Sequence, residues 1–350
     1  MNLQHELTQV DPRIQARVRR ARGLTETELC SLTTRPDADP AMYHPFQADS
    51  GDVIDSSDIT ALNEAMGDRA ILEGEVAFCI LAGGVGTRMG TPKAFAKIPG
   101  VNTSLLAWKI MQGGGMPTWI MTSAGGMSAI AGHMRELVMP PNTDITLFEQ
   151  FEGYRLTPDN RLARTEAGHP ILYPLGHGDV GPALVESGVL DDHPKVKWVV
   201  VANVDNVMGS PHAGLIGRHI VGTHHVTCEL VQRERSDRGG VLAWVNERLQ
   251  IAEDFRLPNG FAEAALYHNT NTMIFNVEAL RWPIPWRWHR VAKRVGAQQV
   301  IQYERLLQQY TEECDTAYVR TPRPARYMAV KTPDDLVKAG ELLTSYQFKR

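Results

Sequence analysis

The stretch "VAFCILAGGVGTRMGTPK", residues 76–93, joins an apolar run to a loop rich in glycine. The run ends at Leu81, and the loop that follows contains four glycines together with Arg88 and Lys93. Glycines let backbone N–H groups approach a phosphate closely, and the two cations would neutralise its charge. An ordinary turn between a strand and a helix has the same pattern, so the loop alone leaves both interpretations open.

The composition is that of a globular protein without a basic surface. At 350 residues, with 43% hydrophobic and 22% charged residues, the chain has room for one large or two moderate domains. Its net charge of -4 provides no basic field for nucleic acid, so we expect no nucleic-acid partner. Any polyanion must be bound locally.

The cysteines and the N-terminal residues indicate in which cellular compartment the protein is expected. Cys30, Cys79, Cys228 and Cys314 are far apart and form no CxxC pair, so we predict free thiols, mostly buried. The start "MNLQHELTQVDPR" lacks the apolar core of a signal peptide, and no run approaches the roughly 18 apolar residues of a membrane span. We expect a cytoplasmic protein that has no membrane partner.

The pattern of residues divides the chain into three parts. Residues 1–74 are polar, with helix-like pieces near 11–22 and 58–67, and are predicted to form an N-terminal helical appendage. Residues 75–280 are predicted to form the catalytic core, and residues 281–350 a C-terminal α/β segment that completes the site.

Apolar runs in the core alternate with helix-like segments. The runs are "VAFCILAGG", "TWIMTS", "ITLFEQ", "KWVVVANVD" and "HVTCELVQR". Nearly continuous apolar strands separated by helices predict an α/β protein, with a mostly parallel sheet covered by helices on both faces.

Three further elements are predicted from the second half of the chain. Residues 241–255, "VLAWVNERLQIAEDF", are typical of a hairpin that turns at Asn246. A helix-like stretch follows the Trp- and Pro-rich segment after Arg281 and extends to about Glu313. A strand near residues 326–330 and a closing helix from residue 333 complete the prediction.

Asp205 follows the apolar run in "VVVANVDNVMGSP". Ligands of open parallel sheets bind at the carboxyl ends of the strands, and a carboxylate there can hold Mg²⁺ together with substrate phosphates. The alternative is that Asp205 caps the next helix. A phosphate loop on the same edge of the sheet favours the metal.

Two polar stretches are candidates for the same edge. "YPLGHGDVGPALVESG" places glycines on both sides of His177 and opens a helix near Pro182, although a lone histidine is more often structural. "YHNTNTMIFN" is dense in side-chain amides that suit hydroxyl groups, although an Asx-turn at a strand entrance would explain them as well.

These stretches together resemble a known family. Seven motifs occur in the order and approximate spacing of the UTP:sugar-1-phosphate uridylyltransferases, the UDP-glucose pyrophosphorylase-like family, from about Val76 to Leu343. They are "LAGGVGTRMGTPKAF", "FEQF", "PLGHGDVGPAL", "VANVDNVMG", "RGGVLAWVNERLQIAE", "NTNTMIFN" and "AVKTPDDLVKAGEL".

The resemblance implies a nucleotidyltransferase fold, a Rossmann-like, GT-A-like sheet with nucleotide and sugar phosphate in a central cleft. The implied nucleotide contacts are Leu81, Ala82, Gly83 and Gly84 at the base and ribose, Gly86, Thr87, Arg88 and Lys93 at the triphosphate, Gln150 at uracil, and Gly176, His177 and Gly178 at the nucleotide and phosphates. The implied acceptor contacts are Asn206, Gly240, Glu253, Asn269 and Asn271 at the sugar and Lys331 at the phosphates, while Asp205 would hold Mg²⁺.

The implied reaction is attack by a sugar-1-phosphate oxygen on the α-phosphorus of a nucleoside triphosphate, releasing pyrophosphate. Arg88, Lys93, Asp205 and Lys331 would be its catalytic residues, and no general base is needed because a phosphate oxygen is already ionised. UTP is favoured as the donor, with a glucose-1-phosphate-like acceptor.

Two departures from the family pattern bear on the acceptor and on assembly. His268 stands where the family commonly has an aromatic residue before Asn-Thr-Asn, which leaves open a GTP-using enzyme for a specialised sugar or cyclitol phosphate of secondary metabolism. About 70 residues follow Arg281, without the hexapeptide periodicity of a β-helix, so the oligomeric state stays open.

Two other classes of protein were weighed. A regulatory protein that binds nucleotide without turnover is disfavoured because all four catalytic candidates are present. A dinucleotide-dependent oxidoreductase is disfavoured because the loop is GGVGTRMG rather than GxGxxG and no acidic residue follows at the required distance.

Overall fold

A computed structural model describes residues 2–19, 24–33, 42–46, 51–84, 92–137 and 143–347. The strands, β1 to β17 in chain order, are Tyr43–Pro45, Val53–Asp55, Val76–Leu81, Lys97–Ile98, Thr103–Ser104, Thr118–Thr122, Ile145–Glu149, Glu152–Tyr154, Leu172–Pro174, Trp198–Asn203, Val226–Gln232, Val241–Val245, Arg248–Ala252, Tyr267–Asn276, His289–Val295, Gln298–Glu304 and Thr316–Thr321.

The helices, α1 to α14 in chain order, are Leu3–Thr8, Pro12–Arg19, Glu26–Leu32, Ala61–Leu72, Leu105–Gln112, Met127–Arg135, Val180–Glu186, Val189–Asp192, Ala213–Gly222, Phe261–Ala264, Val277–Arg281, Tyr310–Glu313, Arg323–Arg326 and Pro333–Gln347. No helix within the described ranges is both long and apolar enough to cross a bilayer.

One large sheet dominates the fold. Its main path is β2-β17-β11-β14-β10-β3-β6-β7, and β12, β13 and β1 extend it from β14. All neighbours on the main path pair in parallel except β14, which is antiparallel to both β10 and β11. The predicted α/β fold with a mostly parallel sheet is confirmed, and the carboxyl ends of β3, β6, β7 and β10 share one edge.

Strand β3 shows how the sheet separates two apolar layers. Ala77, Cys79 and Leu81 pack into one layer, and Val76, Phe78 and Ile80 pack into the other. Successive side chains of a strand point to opposite faces, so a run apolar at every position is buried on both. The second layer includes residues of α4, α5 and α9, and the first includes residues of α7 and α8. The thiols are free as predicted, with Cys30 partly exposed and the other three buried.

Helices α4 and α9 approach each other through glycines. A Cβ atom built on Gly217 would lie 1.7 Å from the backbone oxygen of Asn63, and one on Gly67 would lie 1.9 Å from that of Ala213. Because both obstacles are backbone atoms, no side-chain movement can relieve them.

We therefore expect Gly217→Ala to lower the free energy of unfolding by about 1 to 3 kcal/mol, the usual cost of overpacking. Gly132→Ala in α6 is the matched control, because its Cβ would meet only the guanidinium of Arg135, at 3.9 Å. That substitution is expected to stabilise by about 0.4 to 1 kcal/mol, since it restricts the unfolded chain. Urea unfolding of the two variants checks the difference, and equal effects would contradict the close contact.

The residues before position 74 contribute partly to the main sheet. Strand β2 pairs in parallel with β17, and α4 packs on α9 through the glycine contacts above. Helices α1 to α4 all lie within the predicted appendage, and α4 falls at the helix-like piece predicted near residues 58–67. The division of the chain at residues 74 and 280 stays a prediction.

Two predicted elements are wrong. The stretch before Glu313, predicted as a helix, is instead the hairpin of β15 and β16, followed by the turn Leu307–Gln309 and the short α12. Four successive residues of β16, Val300 to Tyr303, are buried, and Gly296 with a positive φ of 59° permits the two-residue turn between the strands. The strand expected near residues 326–330 is also absent. Thr316–Thr321 forms the strand, and Ala329 makes only an isolated bridge to Asn206.

The predicted hairpin at residues 241–255 is confirmed. Strands β12 and β13 pair from Val241 opposite Ala252 to Val245 opposite Arg248. The two residues between them, Asn246 and Glu247, have φ values of 48° and 64°, as a tight type I′ turn requires. The closing helix is confirmed as α14.

Candidate active site

Two adjoining cavities lie at the carboxyl edge of the sheet. The larger has a volume of about 650 Å³ and the smaller about 190 Å³. His177, Asn203 and Asp205 line both, so the cavities meet beside the end of β10. The larger volume falls in the range of about 300 to 1,000 Å³ typical of sites for drug-sized ligands, and the smaller falls below it.

The larger cavity contains most of the predicted nucleotide contacts. Leu81, Gly83, Gly84, Lys93, Gln150, Gly176 and His177 line it. Ala82 does not, because its backbone continues the pairing with β6 and its side chain is buried in the apolar layer. Gly178 is likewise buried behind the lining. Gly86, Thr87 and Arg88 lie outside the described residues.

Gly83 and Gln150 fit together. Gln150 directly follows β7, and its amide nitrogen donates to the backbone oxygen of Gly176 at 3.3 Å. A Cβ atom on Gly83 would lie 1.8 Å from the side-chain oxygen of Gln150. The glycine therefore makes room for the amide at the floor of the cavity, a role distinct from any contact with phosphate.

The turn around His177 packs on the backbone of Arg305. Gly176 has a φ of +110°, and a Cβ atom there would lie 2.4 Å from the backbone oxygen of Arg305. The side chain of Arg305 is fully buried, pairs with Asp179, and faces the rings of Trp286 and Trp288 at 5.3 Å each. This arrangement fixes the turn and gives the Trp-rich segment a structural role.

His177 accepts a structural hydrogen bond and also lines the candidate site. Its Nδ1 accepts a hydrogen bond from the backbone N–H of Leu307 at 2.9 Å, so its proton is on Nε2 in the neutral ring. Burial lowers the pKa of His177, which keeps the ring neutral. The ring lines both cavities.

Lys93 and Asp205 form an ion pair at the junction of the cavities. The Nζ atom of Lys93 lies 2.6 Å from Oδ2 of Asp205, and their side chains are 16% and 18% exposed. The alternative that Asp205 caps a helix is wrong, because the next helix, α9, begins at Ala213 after His212.

Side chains of helix α5 donate hydrogen bonds to backbone carbonyls of the loop after Asp205. Trp108 and Gln112 donate to the backbone oxygen of Val207 at 2.8 and 2.7 Å. The ammonium of Lys109 donates to the backbone oxygens of Asn206, at 3.0 Å, and of Gly209. Lys109 is fully buried, and burial lowers its pKa to about 7. Sequence reasoning missed this lysine.

The predicted sugar contact Asn206 is used internally. Its side-chain oxygen accepts from the backbone N–H groups of Met208, at 3.3 Å, and Met328, at 3.0 Å, and its nitrogen donates to the backbone oxygen of Arg326 at 3.3 Å. The residue lines the smaller cavity but mainly ties the Asp205 loop to the segment that leads to Lys331. Lys331 itself lines that cavity, and its predicted contact with the phosphates stays a prediction.

The remaining predicted sugar contacts line the smaller cavity. They are Gly240, Glu253, Asn269 and Asn271. Asn271 has a φ of +58°, and its backbone N–H donates to the side-chain oxygen of Asn269 at 3.0 Å. The Asx interpretation of this stretch is therefore confirmed, while a contact of these amides with a sugar stays a prediction.

The carboxyl group of Glu253 has a raised pKa. Burial and the neighbouring carboxylate of Asp254 raise the pKa of Glu253 to about 7, against the opposing effects of Lys331, Arg256 and a hydrogen bond from Gln308. A group that titrates near neutral pH in a cleft is typical of functional sites.

Several lining residues were missed from the sequence. Arg155, Lys293, Arg294, Gln302 and Glu304 line the larger cavity, and Arg238, Gln308 and Tyr327 line the smaller. Four of the five in the first group belong to the β15–β16 hairpin, which was predicted as a helix. A glycine, Gly296, between two short runs that contain Val291, Val295, Val300 and Ile301 was the signal that could have found them.

The residues fit a magnesium ion held mainly by its substrate. No group of three His, Cys, Asp or Glu side chains that could hold a metal occurs in the described part of the chain. Mg²⁺ needs only one or two carboxylates when substrate phosphates supply other ligands. Asp205, at the junction of the cavities, is the carboxylate that would serve.

The fold is that of the UDP-sugar pyrophosphorylases. The chain is similar to a crystal structure of uridine diphosphate N-acetylglucosamine pyrophosphorylase from Trypanosoma brucei, with TM-score 0.73 and 18% identity over 96% of this chain and 81% of that one. It is also similar to UDP-glucose phosphorylase from Trypanosoma brucei, with TM-score 0.71 and 22% identity over 84% and 69%. The fold is therefore the α/β fold of these solved structures, with a cleft at the carboxyl edge of its sheet.

The sequence identifies the family. Residues 34–347 match the model of the UDPGP family, described as UTP–glucose-1-phosphate uridylyltransferase, and the chain belongs to this family. A relative of that name from Musa acuminata is 27% identical over 215 residues, 56% of this chain and 46% of the relative. One from Solanum tuberosum is 26% identical over 213 residues, 56% and 45%. The chain thus spans about half the length of the curated relatives it matches.

Proposed function

We propose that this protein is a Mg²⁺-dependent uridylyltransferase that joins UTP to a sugar 1-phosphate, giving a UDP-sugar and pyrophosphate. One observation carries the proposal: the two cavities meet at the Lys93–Asp205 pair, so two phosphorylated ligands would bring their phosphates together there. The family and the relatives' names support the same reaction. A cytoplasmic location stays a prediction.

The two cavities differ in volume and in lining residues, and each suits one of the two substrates. A nucleoside triphosphate takes the larger cavity, with the base near Gln150 and the phosphates toward Lys93. The sugar takes the smaller, among Glu253, Asn269 and Asn271. The acceptor phosphate then lies near Lys331 and faces the α-phosphorus.

The reaction is an in-line displacement. A bond forms between an acceptor phosphate oxygen and the α-phosphorus, the bond from the α-phosphorus to the bridging oxygen breaks, and pyrophosphate leaves with that electron pair. Both reactants are anions, so catalysis requires positioning and neutralisation of charge rather than a base. Lys93 stabilises the leaving pyrophosphate, and Lys331 steadies the attacking phosphate.

The metal would add to that neutralisation. Mg²⁺ bound by Asp205 and the phosphates would withdraw charge from the oxygens at which it accumulates. The backbone at Asp205 is held by the bonds from α5 to the next two carbonyls and by the N–H of Val330, which donates to the backbone oxygen of Asp205 at 2.8 Å.

Release of pyrophosphate from UTP with a panel of sugar and cyclitol phosphates tests the proposal, with GTP, ATP and dTTP in parallel. We expect release with UTP and a sugar 1-phosphate, and its loss when EDTA removes the metal, with recovery on adding Mg²⁺. No release with any pair of substrates would contradict the enzymatic function and favour a protein that only binds nucleotide.

A further inference from the structure

The side chain of Gln308 lines the smaller cavity, where the acceptor is proposed to bind, and has no role assigned so far. It belongs to the turn Leu307–Gln309, is 4% exposed, and lines the smaller cavity. Its amide nitrogen donates to Oε1 of Glu253. A buried glutamine that contacts the carboxylate at the sugar site is well placed to control that carboxylate.

Gln308 and Glu253 form one unit over Gly240. A Cβ atom built on Gly240 would lie 3.2 Å from Oε1 of Glu253 and 3.5 Å from the amide nitrogen of Gln308, so both groups lie directly above that backbone. The bond restricts the rotamer of Glu253 and occupies one of its acceptor positions. The other lone pairs of an ionised carboxylate remain to accept hydrogen bonds.

The orientation of the amide depends on the charge of Glu253. The nitrogen faces Oε1 while the amide oxygen is buried without a hydrogen-bond partner among the described residues. Donation to an ionised carboxylate is a strong hydrogen bond, which offsets the unpaired oxygen. The arrangement therefore matches a carboxylate that only accepts.

An acceptor-only group selects ligands that donate. Free ring hydroxyls donate, whereas a ring carbon without its hydroxyl leaves the buried carboxylate unpaired. We propose that Gln308 is a specificity-determining residue: by holding the Glu253 carboxylate over Gly240, it selects a ring phosphate whose free hydroxyls donate to that carboxylate. This inference rests on the proposed function and deepens its acceptor.

Five charged or titratable residues surround the carboxylate of Glu253. They comprise Asp254 and Arg256 on its own turn, Lys331 before α14, and Arg238 and His268 in the cavity lining. Burial lowers the pKa of His268 to about 4, so His268 is neutral where Glu253 titrates. The hydrogen bond from Gln308 favours the ionised form of Glu253, so removing it raises the pKa of Glu253 further.

The test compares Gln308→Met with Gln309→Met, using UTP, glucose 1-phosphate and its monodeoxy analogues. Gln309 is the matched control because it is 3% exposed and bonds only to structure, donating to the backbone oxygen of Arg287 at 3.0 Å and accepting from Leu306 at 2.9 Å. We expect Gln308→Met to raise KM for glucose 1-phosphate by about tenfold or more, with KM for UTP changed less than about twofold. Gln309→Met should change neither KM.

Two readouts separate positioning from a loss of stability. In Gln308→Met, the acid limb of kcat/KM for the acceptor should move to higher pH, because Glu253 then loses its proton later. The penalty for the least tolerated deoxy analogue should also shrink in that variant. Equal effects of the two substitutions, or an acid limb that does not move, would overturn the inference. Wild-type inactivity with every acceptor would overturn the proposed function itself.

Discussion

Replacing Asp205 by asparagine or Lys93 by methionine is expected to lower kcat/KM by about 10² to 10³ while leaving the fold intact. The two side chains lie 2.6 Å apart at the junction of the cavities and remain 16–18% exposed, so neither supports the core. Each supplies a fixed charge where the reaction separates charge. A preorganised charge of this kind is worth roughly 3 to 4 kcal/mol.

The controls distinguish chemistry from folding. Lys97→Met changes an exposed lysine four residues further on and is expected to keep activity. The double variant should lose less than the sum of the two single losses, because residues that act on the same phosphates are not independent. Steady-state kinetics with melting temperatures check both points. Near-normal activity in Asp205→Asn would remove Asp205 from the catalytic residues.

The sheet could be predicted because its strands are buried on both faces. Runs such as Val76–Leu81 are apolar at every position, and glycines or polar residues end them. The same reasoning placed Asp205 and the glycine loop after Leu81 at one edge, because parallel strands share their carboxyl ends. The antiparallel direction of β14 could not be predicted in this way. Its place between β10 and β11 depends on pairing with distant strands rather than on its own sequence.

The parts of the site that were missed depend on contacts between distant segments. Gln308 and Lys109 are unremarkable in the sequence, since glutamine and lysine are usually exposed. Lys109 is buried because the carbonyls of Asn206 and Gly209, about a hundred residues later, accept from it. Gln308 is buried because the turn after β16 lies against Glu253. No local pattern contains either contact.

The choice of base is expected to depend on Gln150 and on the glycine beneath it. Uracil presents an N–H donor between two carbonyl acceptors, so one glutamine amide can satisfy a donor and an acceptor together. Guanine presents a longer donor edge and needs more room. The amide of Gln150 is 6% exposed and is anchored by one N–H to the oxygen of Gly176. Its remaining donor and its oxygen stay available for the base.

We expect the wild type to prefer UTP over GTP in kcat/KM by about 10² or more, because a site built for these hydrogen bonds leaves its own groups unpaired with another base. Gln150→Ala should lower that preference by about tenfold or more. Gly83→Ala should do the same without touching the glutamine, because its Cβ would lie 1.8 Å from the amide oxygen and displace it.

Gly125→Ala, in the turn before α6, is the matched control for this series. Gly125 lines neither cavity, and a Cβ atom there meets nothing within 4 Å in the described part of the chain, so the substitution should leave base preference unchanged. The measurement is kcat/KM for UTP, GTP, ATP and dTTP with one accepted sugar phosphate in all four proteins. A wild-type preference for GTP, or equal behaviour of Gly83→Ala and Gly125→Ala, would show that the base is recognised elsewhere.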